Sequence, residues 1–405
     1  MMRQGVVRLV FGLCLLVFLN PTHYEVIAVE GLSVDDRAPR EIPATPRAQP
    51  LDDVTTHRPD MVLPSEMSVG ARPARTIKRP RDADPAVSHT FGSDAILHAC
   101  WSEKALAGLP EDRLIHHGMR PLATVPRADY MEAAVRQLPP LAPEYRGSIR
   151  YVDPSEQSAR LVALTFDLCE GAKEATGYDA GIVNYLRQHR IKATFFAGGK
   201  WMATHPDKAK QLMADPLFEI GNHTWTHRNL RLLAGEKARE QVLWTQAEYA
   251  KLRDELAQAQ CAASAGPTAM DEIPPVPMLF RFPYGVCSPG VLATVANAGL
   301  VAIQWSVVTG DPALHQTPRG IADAVLRGVK SHRGSIVVAH ANGRGWHTAE
   351  ALPLFIPELA RRGYRFVTVS ELLSSGKPVA VGECYELRPG DNARYDALPG
   401  RSVGK

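Results

Sequence analysis

The sequence predicts an α/β protein, a parallel (β/α) barrel of about seven units with a Pro-rich N-terminal extension. First, strand-like and helix-like segments alternate from Arg160 to Ser375, as they do in parallel β/α folds. Second, about seven units within roughly 215 residues favour a closed barrel over an open sheet. Third, 45% of the 405 residues are apolar, which is enough to fill a sizeable core.

Each strand in this series is a short apolar run, and each helix carries apolar residues three and four positions apart. In order, the segments are RLVALTF, YDAGIVNYLRQHR, KATFFAGG, WMATHPDKAKQLMAD, FEIGNHTW, AGEKAREQVLWTQAEYAKLRDEL, MLFRFPYG, PGVLATVANAG, VAIQWSVV, TPRGIADAVLRGVKS, GSIVVAHAN, TAEALPLFIPELARRG and RFVTVSELL. The segment Gln258–Pro277 interrupts the series, and its small residues and prolines predict a surface loop.

The segments outside the barrel differ from it in composition. The predicted organisation is a signal peptide at 1–28, a disordered or extended linker at 29–90, a small N-terminal cap region at 91–157, the barrel at 158–375 and a loop-rich tail at 376–405. Arg3 and Arg8 precede the apolar run Leu9–Leu19, which is too short to span a bilayer and suits a signal peptide cut near Ala28. We therefore expect an exported protein, periplasmic or extracellular, with no stable membrane span after cleavage. The alternatives are an uncleaved membrane anchor and a wrongly assigned start of the chain.

The net charge limits the partner molecules that we expect, and the cysteine content bears on the cellular compartment. The 46 Lys and Arg residues and 43 Asp and Glu residues give a net charge of +3. This charge is too small to indicate a nucleic-acid-binding protein. Without Cys14 the chain has an odd number of cysteines, so an oxidising compartment predicts one or two disulfides and a free thiol. A bridge between Cys169 and Cys287 across the mouth of the site is one hypothesis. The other is that both are small buried residues.

Polar side chains follow five of the strand-like runs, where a parallel barrel collects its functional groups. They are Asp167, His223 with His227, Arg281, Asp311 and His340. If their segment opens a helix, His223 and His227 lie on one face, because they are four residues apart. That spacing suits a divalent metal, which also needs a third ligand and an open position for water.

Five short motifs occur in the order LTFD, GNHTWTH, RFPYG, WSVVTGD and IVVAHAN. In order and approximate spacing they resemble the five motifs of polysaccharide deacetylases that carry the NodB homology domain, and the resemblance covers about Arg160 to Leu373. It implies a distorted β/α barrel and metal-assisted removal of acetyl groups, by amide or ester hydrolysis, from acetylated sugar polymers or oligosaccharides. It also implies a divalent metal cofactor, with zinc as our first choice, and an acetylated carbohydrate as the partner.

The resemblance assigns roles to the acid and base residues. Asp167 matches the catalytic base, and Arg281 matches the arginine that keeps this carboxylate ionised and oriented. His340 matches the general acid that protonates the leaving amine. Asp311 matches one of two acidic positions in the fourth motif, while Val308 occupies the other. These roles agree with amide hydrolysis, which needs a nucleophile made from water and a proton for the leaving nitrogen.

The metal ligands depart from the family pattern at one position. His223 and His227 match two of the ligands, but Leu168 stands where the family usually has a second aspartate. Since leucine cannot ligate, we predict that Glu170, on the same loop, is the third ligand or orients the water. The alternatives are that Asp167 itself binds the metal, or that the site keeps two histidines and waters.

Three further residues are predicted to contact substrate. Tyr284 and Asn222 lie beside the matched motifs and are expected to shape the groove, and Trp346 follows His340 on a Gly-rich loop and is expected to stack on a sugar. Two other functions stay open at this point. One is a non-catalytic sugar-binding protein on the same scaffold, and the other is a metal-independent amidase acting on a small non-sugar amide.

Overall fold

The computed structural model describes residues 91–117, 124–127, 129–130, 132, 138–155, 160–233 and 235–397. The predicted signal peptide and the predicted linker lie outside these residues. Within the described ranges, no helix is both long and apolar enough to cross a membrane.

Twelve strands are present in the described part of the chain, and many are only two or three residues long. They are β1 (His116–His117), β2 (Ser148–Pro154), β3 (Arg160–Leu168), β4 (Glu174–Ala175), β5 (Ala193–Ala197), β6 (Phe218–Asn222), β7 (Leu279–Phe280), β8 (Val301–Ala302), β9 (Val307–Val308), β10 (Gly334–His340), β11 (Tyr364–Phe366) and β12 (Gly376–Val381).

Eleven α-helices are found in the same described ranges, and several begin at a side chain that caps the first turn. Asp179, Ser288 and Thr317 accept hydrogen bonds from backbone N–H groups at three such starts. The helices are α1 (Asp94–Cys100), α2 (Glu103–Ala107), α3 (Ala180–Gln188), α4 (Gly199–Thr204), α5 (Pro206–Ala214), α6 (Glu236–Gln258), α7 (Gln260–Ser264), α8 (Pro289–Asn297), α9 (Pro318–Gly328), α10 (Thr348–Arg361) and α11 (Val369–Ser374).

The main sheet has the strand order β12-β2-β10-β3-β5-β6-β7-β8, with β11 added beside β3 and β9 beside β10. All pairs are parallel except those that β2 makes with β10 and β12. A parallel bridge between Ile149 and Ile303 brings the end of the sheet back to β2. The curled, mostly parallel sheet confirms the predicted distorted barrel. The run VAIQWSVV, predicted as one strand, forms β8 and β9, because it leaves β7 and crosses to β10.

Alternate residues of β3 serve two different parts of the core. Leu164, Phe166 and Leu168 belong to the cluster that includes the helices packed outside the sheet. Leu161 and Ala163 belong to the cluster formed between strands within the barrel. Side chains of a strand alternate between its two faces, so the face that carries Asp167 turns into the barrel.

Two strands lie at or beyond the predicted barrel limits of 158 and 375. β2 and β12 pair with each other along most of their length, and β2 also pairs with β10. The segments before and after the predicted barrel therefore add strands to the same sheet.

The disulfides differ from the predicted bridge. Cys100 pairs with Cys261, and Cys287 pairs with Cys384, with Cα–Cα distances of 4.9 and 5.3 Å. Cys169 is a buried free thiol. The hypothesis of a Cys169–Cys287 bridge is therefore wrong, whereas the prediction of up to two disulfides and one free thiol is confirmed for the described residues.

Candidate active site

The candidate site lies at the carboxyl ends of the barrel strands, where a cavity of about 310 Å³ opens. Asp167 ends the inward-facing series of β3, and its register partner on the neighbouring strand β10 is His340. Both line the cavity, together with His227, Tyr284 and Asp311. The sheet register therefore holds an acid and an imidazole side by side.

Asp167 is held by a buried ion pair. The Arg281 guanidinium donates from Nη1 to Oδ1 of Asp167 over 2.8 Å, and Arg281 is fully buried. Burial alone would raise the pKa of Asp167, but the charges of Arg281 and the nearby His223 outweigh it and hold that pKa below its usual range. The carboxylate is therefore ionised and fixed in orientation, as predicted for a proton acceptor.

His340 is oriented by Asp311. The Nδ1 atom of His340 lies 3.0 Å from Oδ1 of Asp311, and the His340 backbone N–H donates to Oδ2 over 2.7 Å. Hydroxyl groups of Thr309 and Thr348 also donate to this carboxylate, at 2.9 and 2.7 Å. Burial lowers the pKa of His340, but the charge and hydrogen bond of Asp311 prevail and raise it above its ordinary value. A proton is therefore retained more readily on this imidazole.

His223 has one nitrogen bonded and the other available to a ligand. Its Nδ1 lies 2.9 Å from the carbonyl oxygen of Arg281, so Nδ1 carries the hydrogen and donates it. Its Nε2 is buried without a hydrogen-bond partner among the described residues, and Oδ2 of Asp167 lies 3.5 Å away. Burial lowers the pKa of His223. A neutral imidazole with a bare Nε2 is the form that ligates a metal.

His227 is clamped by Tyr284. The Tyr284 hydroxyl donates to the His227 carbonyl over 3.0 Å and lies 2.9 Å from Nδ1 of the same residue. Both residues have left-handed backbones, with φ values of 52° and 60°, a conformation that costs a non-glycine residue about 1–3 kcal/mol. The surrounding contacts maintain this strained geometry and orient the imidazole through its Nδ1 side.

Cys169 completes a group of three donors. Its Sγ and one ring nitrogen each from His223 and His227 lie within 4.8 Å of one another. One sulfur and two nitrogen donors are a set that zinc accepts. The cysteine was not among the residues predicted to form the site. Burial raises the pKa of its thiol to about 11 in the absence of a metal.

Glu170 is turned away from this group. Its carboxylate accepts from the Thr176 backbone N–H at 2.9 Å and from the Thr204 hydroxyl at 3.1 Å, and it lies 2.9 Å from Nζ of Lys200. The side chain is buried, with 1% of its surface exposed. The structure thus contradicts the expectation that Glu170 swings in beside the histidines, because its oxygens are already bound by Thr176 of the loop and by Thr204 and Lys200 of α4.

Asn222 is also misplaced for the role predicted for it. Its side chain is fully buried, donates to the Val242 carbonyl and Gln246 Oε1 at 2.9 Å each, and accepts from the Thr224 N–H at 2.9 Å. A substrate cannot reach it, so the structure contradicts a direct contact. Asn222 instead fixes the loop that carries His223.

The C-terminal tail forms one wall of the cavity, although the sequence analysis predicts only a loop-rich extension there. Glu386 and Tyr395 line the cavity, and the Tyr395 ring stacks on Tyr284 with centroids 5.2 Å apart. Cys384 ties the tail to Cys287 just beyond Tyr284. The tail thus packs against the residue that clamps His227.

The fold is a β/α barrel with an acid and an imidazole at one cavity, and the relatives it resembles are hydrolases. A model of the polysaccharide deacetylase family matches residues 155–303. A peptidoglycan-N-acetylglucosamine deacetylase of Bacillus cereus is 30% identical over 57% of this chain and 95% of its own length. A chitooligosaccharide deacetylase of Bradyrhizobium is 34% identical over 53% of this chain and 90% of its own. The chain belongs to the polysaccharide deacetylase family.

Two solved structures are similar to this chain, one described as a deacetylase and the other as a pseudoenzyme. A peptidoglycan N-acetylglucosamine deacetylase in complex with an N-hydroxybenzamide covers 58% of this chain and 95% of its own, with 26% identity and a TM-score of 0.46. A CE4 family pseudoenzyme from Bacillus anthracis covers 58% of this chain and 71% of its own, with 26% identity and a TM-score of 0.45.

Proposed function

We propose that the protein removes acetyl groups from N-acetylated sugar polymers or oligosaccharides by metal-assisted amide hydrolysis. The observation that carries the proposal is the pairing of Asp167 with His340 at the ends of β3 and β10, on one cavity with His227. An ionised carboxylate and an imidazole of raised pKa are the acceptor and donor that amide hydrolysis requires.

The positions of Asp167 and His340 define the two proton transfers of the proposed reaction. Asp167 accepts a proton from the attacking water as oxygen bonds to the acetyl carbon, and Arg281 holds the carboxylate in place. His340 then donates a proton to the sugar nitrogen as the carbon–nitrogen bond breaks, with Asp311 holding the imidazole. The immediate products are acetic acid and the sugar amine, and transfer of one proton between them gives acetate and an ammonium group. Asp167 then loses the proton that it accepted and His340 regains one, so atoms and charge balance.

The donor atoms fit the metal that the family implies. His223, with its bare buried Nε2, His227 and Cys169 would hold a zinc ion, with the remaining coordination position left to water or substrate. A bound zinc would polarise the water and the acetyl carbonyl. Leu168 stands where the family usually has an aspartate ligand. Cys169 would supply a thiolate as the third protein ligand in place of that carboxylate.

We also propose that the protein is exported. Its two disulfides, Cys100–Cys261 and Cys287–Cys384, fit an oxidising compartment. They join segments 161 and 97 residues apart in sequence. A protein of this family acting on a cell-wall or extracellular sugar would work in such a compartment.

The test is metal content and acetate release from N-acetylglucosamine oligomers, with and without chelator. We expect about one zinc per chain and chelator-sensitive release. Cys169→Ala should weaken metal binding by at least roughly 100-fold and abolish the thiolate-to-cobalt charge-transfer absorption of the cobalt-substituted protein. Glu170→Gln is the matched variant and should retain both the metal and that absorption.

Two outcomes would change the proposal. Metal retained in Cys169→Ala and lost in folded Glu170→Gln would restore Glu170 as the ligand. No acetate release from the metal-loaded wild type, together with saturable oligosaccharide binding, would replace catalysis with sugar binding on the same scaffold.

A further inference from the structure

The C-terminal tail, which follows β12, is bonded to the turn Pro283–Gly285. Asn392 is buried, with 1% of its surface exposed, and its Nδ2 donates to the carbonyl oxygen of Gly285 over 2.6 Å. The same nitrogen donates to the carbonyl oxygen of Cys384 over 2.9 Å, and Cys384 forms the disulfide with Cys287. A hydrogen bond and a covalent bond therefore hold the tail against this turn.

An aromatic ring of the tail also packs on the turn. The rings of Tyr395 and Tyr284 have centroids 5.2 Å apart and planes inclined by 26°, an arrangement worth about 0.5–1.5 kcal/mol beyond the area it buries. The Tyr284 ring in turn meets the imidazole of His227, with centroids 4.4 Å apart and planes inclined by 66°. Tyr284 therefore contacts both the tail and a proposed metal ligand.

Three residues in this chain of contacts have left-handed backbones, with φ values of 60° at Tyr284, 61° at Gly285 and 52° at His227. Glycine adopts this conformation readily, whereas tyrosine and histidine persist in it only where the surrounding structure fixes them. The ring of Tyr395 and the hydrogen bond of Asn392 fix the turn. The Tyr284 hydroxyl, which donates to the His227 carbonyl over 3.0 Å, then fixes the histidine.

The tail is itself anchored to the barrel. Arg150 of β2 is buried and donates to two carbonyl groups of the tail over 2.7 and 3.0 Å. Asp396 accepts from Asn229 over 2.8 Å and pairs with Arg231 at 2.7 Å. Both partners of Asp396 follow His227 closely in sequence, so the tail is bonded to the loop of the histidine as well as to Tyr284.

We propose that Asn392 and Tyr395 are positioning residues for His227 as a metal ligand. The tail fixes the turn, and Tyr284 holds the imidazole at Nδ1, which leaves Nε2 for the metal. The role of His227 as a ligand rests on the proposed function. The tail lies outside residues 155–303, which the family model matches, so this inference adds a distant segment to the metal site.

Zinc affinity tests this role. Competition with a chromophoric chelator gives the zinc Kd of wild type and of each variant. Because loss of an outer contact weakens a metal site 10- to 100-fold, Tyr395→Ala should raise the Kd by about tenfold, and Asn392→Ala should act in the same direction. Tyr395→Phe keeps the stacked ring and should stay within about twofold of wild type.

The matched control is Trp346→Ala. It also removes an aromatic ring, but Trp346 is 46% exposed and lines a cavity beside the catalytic one. The zinc Kd of this variant should therefore equal that of wild type.

Hydrogen exchange of the metal-free protein tests the same contacts without zinc. Mass spectrometry follows the peptide that spans residues 222–233 and contains His227. In Tyr395→Ala this peptide should exchange at least roughly tenfold faster than in wild type, because a strained loop that loses its contacts opens more often. Helix α9 should keep its wild-type rate, and Trp346→Ala should change neither segment.

The outcomes separate this inference from the proposed function. Faster exchange around His227 in Tyr395→Ala, with no zinc bound by the wild type, would support the positioning role and overturn the proposed metal chemistry. Equal zinc affinity and equal exchange in wild type and Tyr395→Ala would overturn the positioning role and leave the proposed function standing. Weaker zinc binding with faster exchange in α9 as well would assign the effect to lost stability and would also overturn the positioning role.

Discussion

Two buried acids, Asp167 and Glu170, stand three residues apart and have different surroundings. Each is paired with a buried cation, Asp167 with Arg281 at 2.8 Å and Glu170 with Lys200 at 2.9 Å. Asp167 lines a cavity, and its Oδ2 lies 3.5 Å from a histidine nitrogen. Both oxygens of Glu170 are instead bound by neighbouring donors within the protein.

The difference shows that burial and a counter-ion do not by themselves make a carboxylate reactive. Asp167 keeps an oxygen at the edge of a cavity, where it can accept a proton. The carboxylate of Glu170 has no such opening, and its hydrogen bonds fix the shape of the loop that carries Cys169. We therefore expect substitutions of the first acid to change activity and substitutions of the second to change stability.

The largest effect is expected for Asp167→Asn. The amide keeps the shape of the side chain but cannot act as the base, so acetate release should fall by about 10³-fold. Thermal unfolding and circular dichroism check that the variant is folded, since Arg281 loses its partner charge. Asp323→Asn breaks a surface ion pair with Arg319 and serves as the control. More than a tenth of the activity remaining in Asp167→Asn would contradict the role of base.

The contrasting variant is Glu170→Gln. It leaves Lys200 as a buried charge without a carboxylate partner, although the carbonyl oxygens of Gly171 and Glu174 still accept from it, so we expect the unfolding free energy to fall by about 3 kcal/mol. Urea titration measures this, while metal content and acetate release per folded molecule should stay close to wild type.

The double variant Glu170→Gln/Lys200→Met separates charge from hydrogen bonding. Removing both partners should recover part of the lost stability, because the unpaired ammonium is the main penalty. Loss of activity in Glu170→Gln without loss of stability would reverse the comparison and place this acid in the reaction.

The alternation of side chains explains why Cys169 and not Glu170 meets the histidines. From Leu161 to Asp167, odd-numbered residues of β3 face into the barrel and even-numbered residues pack outside. Continued by two residues, the period of two places Cys169 on the inner side with Asp167, and Leu168 and Glu170 on the other. The family resemblance predicts the strand end and the motif residues. The prediction of Glu170 as a metal ligand rests only on its carboxylate, whereas the period of two places this residue on the other side from the histidines.

Other parts of the site depend on contacts that sequence spacing does not reveal. The tail reaches the cavity because Cys384 bonds to Cys287 across 97 residues. The burial of Asn222 follows from its bonds to helix α6. Local periodicity predicts the strands and helices, whereas these long-range contacts are set by tertiary packing.

Glu219 extends the comparison to a buried acid without a paired cation in the described residues. Burial raises its pKa to about 7, against an ordinary value of 4.5, although Ser370 and Thr194 donate hydrogen bonds to it. The folded protein therefore keeps a proton that the unfolded chain loses between pH 4.5 and about 7. Its contribution to stability is fully present below pH 4.5, falls as pH rises through this window, and is lost above it.

Glu219→Gln should flatten this pH dependence. The amide keeps an oxygen to accept from Ser370 and Thr194 and never ionises, so the variant should gain no more than about 3 kcal/mol relative to wild type above pH 7. Urea unfolding at several pH values from 4.5 to 8 measures the difference, with the exposed residue Glu272 changed to Gln as the control. Parallel stability curves for wild type and Glu219→Gln would contradict the raised pKa.

The smallest effect is expected for Asp311, an acid that acts through its neighbour His340. Asp311 raises the pKa of His340, and the general acid must be protonated to act. Activity therefore falls as pH rises through the pKa of His340, and Asp311→Asn should move this alkaline limb to lower pH, because the charge that raises the pKa is removed. The measurement is kcat/KM for acetate release against pH. Thr348→Val removes a hydrogen bond to Asp311 but keeps the charge of Asp311. The alkaline limb of the pH profile of this variant should therefore stay near that of wild type. An equal displacement in both variants would assign the effect to local packing instead of to the charge.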